Sequence, residues 1–318
     1  MSTRTTWQRA LCVLAATAAL AIPATAAEAH ENGDRTITVN GSQVFPESVA
    51  ADHRYVYTAS MADGTVYRGR VGAKTLDPFL PAGQNGRTQV TGVKIDADRL
   101  LLAGGFTGHF FVYTSARQLV SDYTVAGTGE KTLVNDAAVA ANGDVYVTDS
   151  FRAVVYRIPA AEVHAPATGA RRPLPVAYHL PDYVAGTSNG NGIVATPDGR
   201  SLIVGYWNSG ALYRLTLATG EIRKLDAPAL TSADGMVLRG NTLYLARSVD
   251  TEIATVRLSA DFTRATVLSE RTYPGADTPT GVAVSGDRLL VTNSQFDTFL
   301  YGAPLTSPVF TLESLPLH

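Results

Sequence analysis

Six segments of similar sequence recur along the chain, and their starting points lie 43 to 56 residues apart. Each segment begins with a short run of small residues, passes through a turn such as Asn142-Gly143 or Asp198-Gly199, and ends in an apolar run. The six are ESVAADHRYVYTAS from Glu47, TGVKIDADRLLLAGG from Thr91, NDAAVAANGDVYVTDS from Asn135, NGIVATPDGRSLIVGYW from Asn191, DGMVLRGNTLYLARS from Asp234 and TGVAVSGDRLLVTNS from Thr280. This recurrence favours a fold built from one repeated supersecondary unit.

The repeated unit is a group of short β-strands. Alternating runs rich in Val, Tyr, Thr, Leu and Ile are separated by Gly, Asn, Asp and Pro, which is typical of strands and turns. Each repeat contains two such runs and a third strand, with a weaker fourth such as Ile222–Leu225 or Val309–Leu312. The predicted third strands are Gly64–Val71, Phe110–Thr114, Val154–Ile158, Ala211–Leu217, Ile253–Leu258 and Phe299–Ala303.

Four strands in about 40–50 residues make one propeller blade. The sequence therefore predicts an all-β fold, a six-bladed β-propeller with four-stranded antiparallel blades, as a single domain over residues 30–318. A sandwich or jelly roll would not predict a regular sixfold recurrence. A stretch rich in Pro, Ala and Arg, from Pro159 to Pro181, separates the third and fourth repeats. We expect a loop there, with one helical turn over Ala160–Val163.

Residues 1–29 have the pattern of a secretory signal peptide. Arg4 and Arg9 precede an apolar stretch from Leu11 to Ile22, and Pro23 and small residues follow it. Both ATA, ending at Ala26, and AEA, ending at Ala29, fit a cleavage site. Twelve residues rise only about 18 Å as a helix, which is too short to cross a bilayer. We therefore expect a secreted, extracellular protein.

Composition excludes several partners and cofactors. Lys and Arg number 26 against 28 Asp and Glu, so a nucleic-acid partner is not expected. The single cysteine, Cys12, lies in the predicted leader, and the six histidines show no metal-ligand spacing. A zinc, copper or iron site is therefore not expected. No later apolar run reaches 18 residues, so no membrane contact is expected after cleavage. We expect a monomer that acts on a small molecule.

Residues at the same position of each repeat should surround the central axis of the propeller at one height. The first positions of the repeats are Glu47, Thr91, Asn135, Asn191, Asp234 and Thr280. Two acids and two amides among them supply oxygen ligands for a hard divalent cation such as Ca²⁺. The alternative is that Asn-Gly, Asp-Gly and Asn-Asp are ordinary turn dipeptides. Glu47 favours the ion site, because Glu is not a preferred turn residue.

The second strand of each repeat returns to the same mouth, so residues at its end should line a substrate pocket. These include Ser60, Asp149-Ser150, Trp207-Asn208, Arg247-Ser248 and Asn293-Ser294, with His109 in the corresponding loop of the second repeat. An aromatic ring, an arginine, amides and hydroxyls suit a small polar ester or lactone. Arg247 could hold an anionic group, or it could form an ordinary ion pair.

The motifs at these positions resemble the SMP-30/gluconolactonase/luciferin-regenerating enzyme family, which also includes diisopropyl-fluorophosphatase-type hydrolases. They are the early Glu47, Asn135-Asp136 before a Gly-turn strand, Asn191-Gly192 before PDGRSL, and Asp234-Gly235-Met236. The resemblance implies a six-bladed propeller in which Glu47, Asn135, Asn191 and Asp234 ligate one divalent metal, usually calcium. It also implies hydrolysis of small lactones or esters.

In such an enzyme the cation would polarise a carbonyl or phosphoryl oxygen, and Asp234 would act as general base or as nucleophile. His109 is a second candidate proton acceptor. The alternatives are a propeller that binds a partner or small molecule around a structural ion, and the carbon–carbon bond formation of strictosidine-synthase-like propellers. Residues 186–190 match G-x-S-x-G, but they lie in a Gly/Asn loop before a strand, so a nucleophile elbow is not expected.

Overall fold

The strands of the described residues form five sheets, in which most neighbouring strands run antiparallel. The computed structural model describes residues 33–127, 131–305 and 307–317, so the predicted leader lies outside the described residues. The eight-stranded sheet runs, in spatial order, β2 (Pro46–Ala51), β3 (Tyr55–Ser60), β4 (Val66–Arg70), β5 (Thr75–Leu80), β1 (Arg35–Val39), β25 (Phe310–Pro316), β24 (Arg288–Asn293) and β23 (Val282–Ser285). The five-stranded sheet runs β13 (Ala170–Pro173), β9 (Leu119–Thr124), β8 (His109–Thr114), β7 (Arg99–Ala103) and β6 (Gly92–Asp96).

Three further sheets have four strands each. The first contains β10 (Val134–Val139), β11 (Val145–Asp149), β12 (Val154–Ile158) and β14 (Val176–His179). The second contains β15 (Gly190–Ala195), β16 (Ser201–Tyr206), β17 (Leu212–Thr216) and β18 (Ile222–Lys224). The third contains β19 (Ala233–Arg239), β20 (Thr242–Arg247), β21 (Glu252–Leu258) and β22 (Ala265–Arg271). The described chain is nearly all β, as predicted, and several of its sheets have four strands.

The first strands of successive antiparallel runs lie next to one another around a ring. In order they are β2, β6, β10, β15, β19 and β23, and each contacts the next, while β23 contacts β2. The eight-stranded sheet contains two of these runs, because β1 pairs antiparallel with β25 and also parallel with β5. Residues at the start of each repeat are thereby brought towards one axis.

The core lies between consecutive sheets, which explains why the strands are apolar on both faces. In β7, Leu101 and Ala103 pack in the cluster shared with β10–β12. Leu100 and Leu102 point the other way and pack in the cluster shared with β2–β5. Because side chains alternate across a strand, an uninterrupted apolar run buries residues against both neighbours.

Two local predictions are wrong. The stretch from Pro159 to Pro181 begins with helix α1 (Ala160–Val163), as expected, but the remainder contains β13 and β14 instead of a loop. β13 pairs parallel with β9, and β14 completes the sheet of β10–β12. The predicted strand Phe299–Ala303 overlaps helix α2 (Phe296–Tyr301), and the third strand of that repeat is β25. A short 3₁₀ helix spans Gln84–Gly86.

Candidate functional site

Two adjoining cavities occupy the axis of the ring. The outer cavity, about 290 Å³, opens to the surface, and the inner cavity, about 10 Å³, lies among buried residues. Four residues line both cavities: Glu47, Asn135, Asn191 and Asp234. Thr91 lines the outer cavity and Thr280 lines the inner one, so all six first positions of the repeats lie on this axis.

Each of the four shared residues lies at a β-bulge. The pairing of β2 with β3 shifts between Pro46 and Val49, and corresponding shifts interrupt β10, β15 and β19. Two residues of the inner strand therefore face one residue of its partner at Glu47-Ser48, Asn135-Asp136, Asn191-Gly192 and Asp234-Gly235. By contrast, β6, which follows Thr91, pairs with β7 without a shift. Bulges commonly re-aim side chains next to active sites.

The alternative interpretation of these dipeptides as turns is wrong. Asn135-Asp136, Asn191-Gly192 and Asp234-Gly235 lie within β10, β15 and β19. The glycines are required because the inner strands approach closely. A Cβ on Gly192 would lie 2.2 Å from the carbonyl oxygen of Asp234, and a Cβ on Gly235 would lie 2.5 Å from that of Thr280.

The shared polar side chains are buried, and one of their oxygens lacks a partner. Glu47 is 8% exposed and Asn135 is 3% exposed. The Asn135 Nδ2 donates a hydrogen bond to Ser150 Oγ at 2.9 Å, but its Oδ1 is buried with no hydrogen-bond partner among the described residues. Asp234 accepts hydrogen bonds from the side chains of Ser248 and Asn191. A buried carbonyl oxygen with no donor is costly in a folded protein.

Burial also perturbs the two acids. It raises the pKa of the Glu47 carboxyl well above its usual value, and the nearby Asp234 and Asp136 raise it further, whereas Lys94 lowers it. Burial raises the pKa of Asp234 to about 7, although its hydrogen bonds from Ser248 and Asn191 oppose the shift. The arrangement therefore disfavours two negative charges unless a positive charge lies between them. Within the described residues, no group of three or more His, Cys, Asp or Glu is placed to hold a metal.

Of the five residues predicted to contact substrate, only Trp207 lines the outer cavity within the described part of the chain. Its Nε1 donates a hydrogen bond to Ser248 Oγ, another lining residue, at 3.1 Å. Asn208 lies beside it, and its Nδ2 donates to Asn189 Oδ1 at 3.3 Å.

The other three residues bond elsewhere, so their predicted substrate contacts stay predictions. Asp149 is fully buried and accepts hydrogen bonds from the Leu133 backbone N–H at 2.9 Å and the Tyr156 hydroxyl at 2.9 Å. The His109 Nδ1 lies 2.6 Å from Asp122 Oδ1. Arg247 forms ion pairs, which join it to Asp250, Glu252 and Glu270.

The remaining wall of the outer cavity is largely apolar, and the sequence did not predict most of it. It includes residues that follow second strands and residues of α2: Phe106, Phe151, Val249, Phe296, Leu300 and Tyr301. Phe106 and Phe151 contact each other with ring centroids 5.7 Å apart. One sequence feature indicated that these two rings line the cavity: they directly follow Gly104-Gly105 and Asp149-Ser150, at the ends of second strands. Ser188, within the G-x-S-x-G stretch, also lines the cavity, and in the part of the chain that the structure describes its buried Oγ has no hydrogen-bond partner.

Comparisons with known proteins identify the fold. No family model matches the chain, and no curated protein matches its sequence significantly. It is similar to the structure of virginiamycin B lyase from Staphylococcus aureus, with 11% identity over 90% of this chain and 99% of that one and a TM-score of 0.59. It is also similar to the allergen Mala s 1 from Malassezia sympodialis, with 14% identity over 88% and 95% of the two chains and a TM-score of 0.64.

A third similar structure is that of luciferin-regenerating enzyme, with 14% identity over 90% of this chain and 96% of that one and a TM-score of 0.60. These neighbours are β-propeller proteins, and the chain shares their fold. In the residues that the structure describes, no helix is both long enough and apolar enough to span a membrane.

Proposed function

We propose that the chain is a hydrolase of small esters or lactones that depends on a divalent cation, of the SMP-30/gluconolactonase type. One observation carries the proposal. Glu47, Asn135, Asn191 and Asp234 each lie at a β-bulge, and all four line the same two cavities. Four separate irregularities that bring oxygen-bearing side chains to one axis are difficult to explain by packing alone, because bulges interrupt ladder hydrogen bonds.

The donor set fits a hard cation such as Ca²⁺. It offers two carboxylates and two amides, and the Asn135 Oδ1, which bonds to none of the described residues, would coordinate the cation. The inner cavity is about the size of one water molecule or ion. When bound, the cation would act as a Lewis acid on a carbonyl oxygen. Its charge would offset both carboxylates, and so counteract the burial and the repulsion that raise their pKa values.

Asp234 is the proposed catalytic residue. It is the only acid besides Glu47 among the described residues that line the outer cavity. Ser248 and Asn191 donate to its carboxylate and hold it in place, so it can accept a proton from an attacking water or attack an ester carbonyl itself. The apolar wall beside it would limit access of bulk water to the reacting group.

Three further properties belong to the same proposal. Six blades are supported by the closed order of inner strands from β2 to β23 and by six core clusters. Secretion is supported by the predicted leader over residues 1–29, with its apolar stretch from Leu11 to Ile22. We propose a monomer, since a propeller closes its own ring of sheets and leaves only short protected edges.

The test combines stability with turnover. The chain is stripped with a chelator, and its melting temperature and its hydrolysis of aryl esters and lactones are measured with and without Ca²⁺. We expect calcium to raise the melting temperature and to restore turnover. In the Asp234→Asn variant, calcium should do neither. Asp287→Asn, which removes an exposed acid outside both cavities, is the matched control and should behave like the unaltered chain.

The two responses separate the possible functions. A calcium-dependent melting temperature without turnover on any substrate would indicate a propeller that binds a partner or small molecule around a structural ion. A melting temperature that calcium leaves unchanged would contradict the cation site itself.

A further inference from the structure

The outer cavity combines an acidic floor with an apolar wall that continues to the surface. Phe106 is 46% exposed, Leu300 is 43% exposed and Tyr301 is 72% exposed, and all three line the cavity. Large apolar side chains that remain exposed together at a cavity mouth are typical of ligand-binding surfaces. The wall therefore offers burial for an apolar part of a ligand.

Polar side chains also line the cavity, but the hydroxyls of Thr91 and Thr278 already donate hydrogen bonds within the chain. Trp207 already donates its Nε1–H to Ser248, so its contribution within the cavity is mainly apolar. The Ser188 Oγ bonds to none of the described residues and can donate to one ligand oxygen. Because several of its polar groups already bond within the chain, the site is better suited to a carbonyl and one or two further oxygens than to the several hydroxyls of a sugar.

The charges of the cavity disfavour an anionic ligand. None of the described residues that line it is Lys, Arg or His, while Glu47 and Asp234 are both acids. A divalent cation would offset these two carboxylates and leave no positive charge for a ligand. Arg247, the arginine nearest in sequence to the lining residues Ser248 and Val249, is held by three acids instead.

We infer that the substrate is a neutral ester or lactone with an aliphatic or aromatic substituent, bound with its carbonyl at the acidic floor and its apolar part against Phe106, Leu300 and Tyr301. This inference rests on the proposed function. The cavity volume of about 290 Å³ lies at the small end of ligand sites, so the substituent is short.

Binding can be measured without turnover because the cavity contains its own fluorophore. The chain has two tryptophans, and Trp7→Phe leaves Trp207 as the only one. Its fluorescence is recorded in the presence of chelator during titration with γ-butyrolactone, γ-octalactone, γ-dodecalactone and freshly dissolved D-glucono-δ-lactone. We expect affinity to rise about threefold for each added methylene until the wall is covered. Gluconolactone should bind at least about tenfold more weakly than γ-octalactone.

A pair of leucine variants locates the effect. Leu300→Ala should weaken γ-octalactone binding by about tenfold. Leu268→Ala removes a leucine that is 54% exposed on β22, outside the cavity, and should leave binding unchanged. Affinity that does not depend on chain length, or tighter binding of gluconolactone, would overturn the inference. Chelator-sensitive turnover is measured separately, so failure of the hydrolase proposal is recognised independently.

Discussion

The Nζ of Lys94, on β6, lies 3.2 Å from Oδ1 of Asp136, on β10, and both residues line the inner cavity. The Asp136 side chain is 7% exposed and that of Lys94 is 22% exposed. Lys94 is the single basic residue among the described residues that line this cavity, which also contains three acids: Glu47, Asp136 and Asp234. The ammonium group therefore offsets one of three negative charges beneath the proposed cation site.

Replacement of Lys94 by methionine should destabilise the chain. The change leaves Asp136 buried without its charged partner, and it removes the group that lowers the pKa of Glu47. We expect a loss of about 2–4 kcal/mol in the free energy of unfolding in the presence of chelator. Urea denaturation measures this value.

The double variant Lys94→Met, Asp136→Asn provides the control for this pair. Because it removes both charges, it should recover at least about 1 kcal/mol relative to Lys94→Met alone. Additive losses in the two single variants and the double variant would show that the two side chains do not interact.

Gly192 should not tolerate a side chain. A Cβ there would lie 2.2 Å from the carbonyl oxygen of Asp234, and neighbouring backbone would have to move. We expect Gly192→Ala to cost about 1–3 kcal/mol of stability and to weaken calcium binding, since Asp234 would be displaced. Calorimetry measures both effects. Gly127→Ala, where a Cβ meets no atom of the described residues within 4 Å, should alter neither.

The stability of the chelated chain should fall as pH rises. The pKa of Asp234 is about 7 in the folded chain and about 3.9 in an unfolded one, so between these values the folded chain holds a proton that the unfolded chain has released. The free energy of unfolding therefore decreases as pH rises from about 4 to about 7. The raised pKa of Glu47 acts in the same direction.

Melting temperatures at pH 5 and pH 8 test this dependence. We expect a lower value at pH 8 in chelator, and a smaller difference when calcium is present. Asp234→Asn should also reduce the difference, because the residue no longer titrates. An equal or higher melting temperature at pH 8 in the chelated chain would contradict the raised pKa values.

Arg247→Met should alter stability more than substrate binding. Arg247 pairs with Asp250, Glu252 and Glu270 at distances of 2.9, 3.1 and 2.5 Å, and it does not line the outer cavity. These acids are about a third exposed, so we expect a loss of only about 1 kcal/mol. Steady-state kinetics should give a KM for a neutral ester within about twofold of the original. A tenfold increase in KM would instead support the predicted contact between Arg247 and the substrate.

Most of what could be predicted about the fold, and about which residues converge on the central axis, came from the sequence repeat. Because Glu47, Asn135, Asn191 and Asp234 share one position in the repeat, their convergence follows from the ring alone, without any knowledge of side-chain contacts. The same dipeptides are ambiguous locally, however. Asn191-Gly192 has the composition of a turn, and only the close approach of β15 to β19 explains why glycine lies there within a strand.

The wall of the outer cavity was harder to predict, because a position at the end of a strand does not specify the direction in which the side chain points. Arg247 and Ser248 are neighbours, yet only Ser248 lines the outer cavity, since successive side chains point to opposite faces. Phe296 and Leu300 lie on α2, where the sequence predicted a strand from Phe299 to Ala303. A short apolar run does not distinguish strand from helix by its period.

The pairing of β1 with β25 determines when, during synthesis, the ring of sheets can close. Arg35 lies opposite Ser314, and Val39 lies opposite Phe310, so the fourth strand of the antiparallel run β23–β24–β25 comes from the beginning of the described chain. These partners are separated by nearly the whole polypeptide, and closing so long a loop is slow. The ring therefore cannot close until almost all of the chain has left the ribosome, because β1 has no β25 to pair with before then.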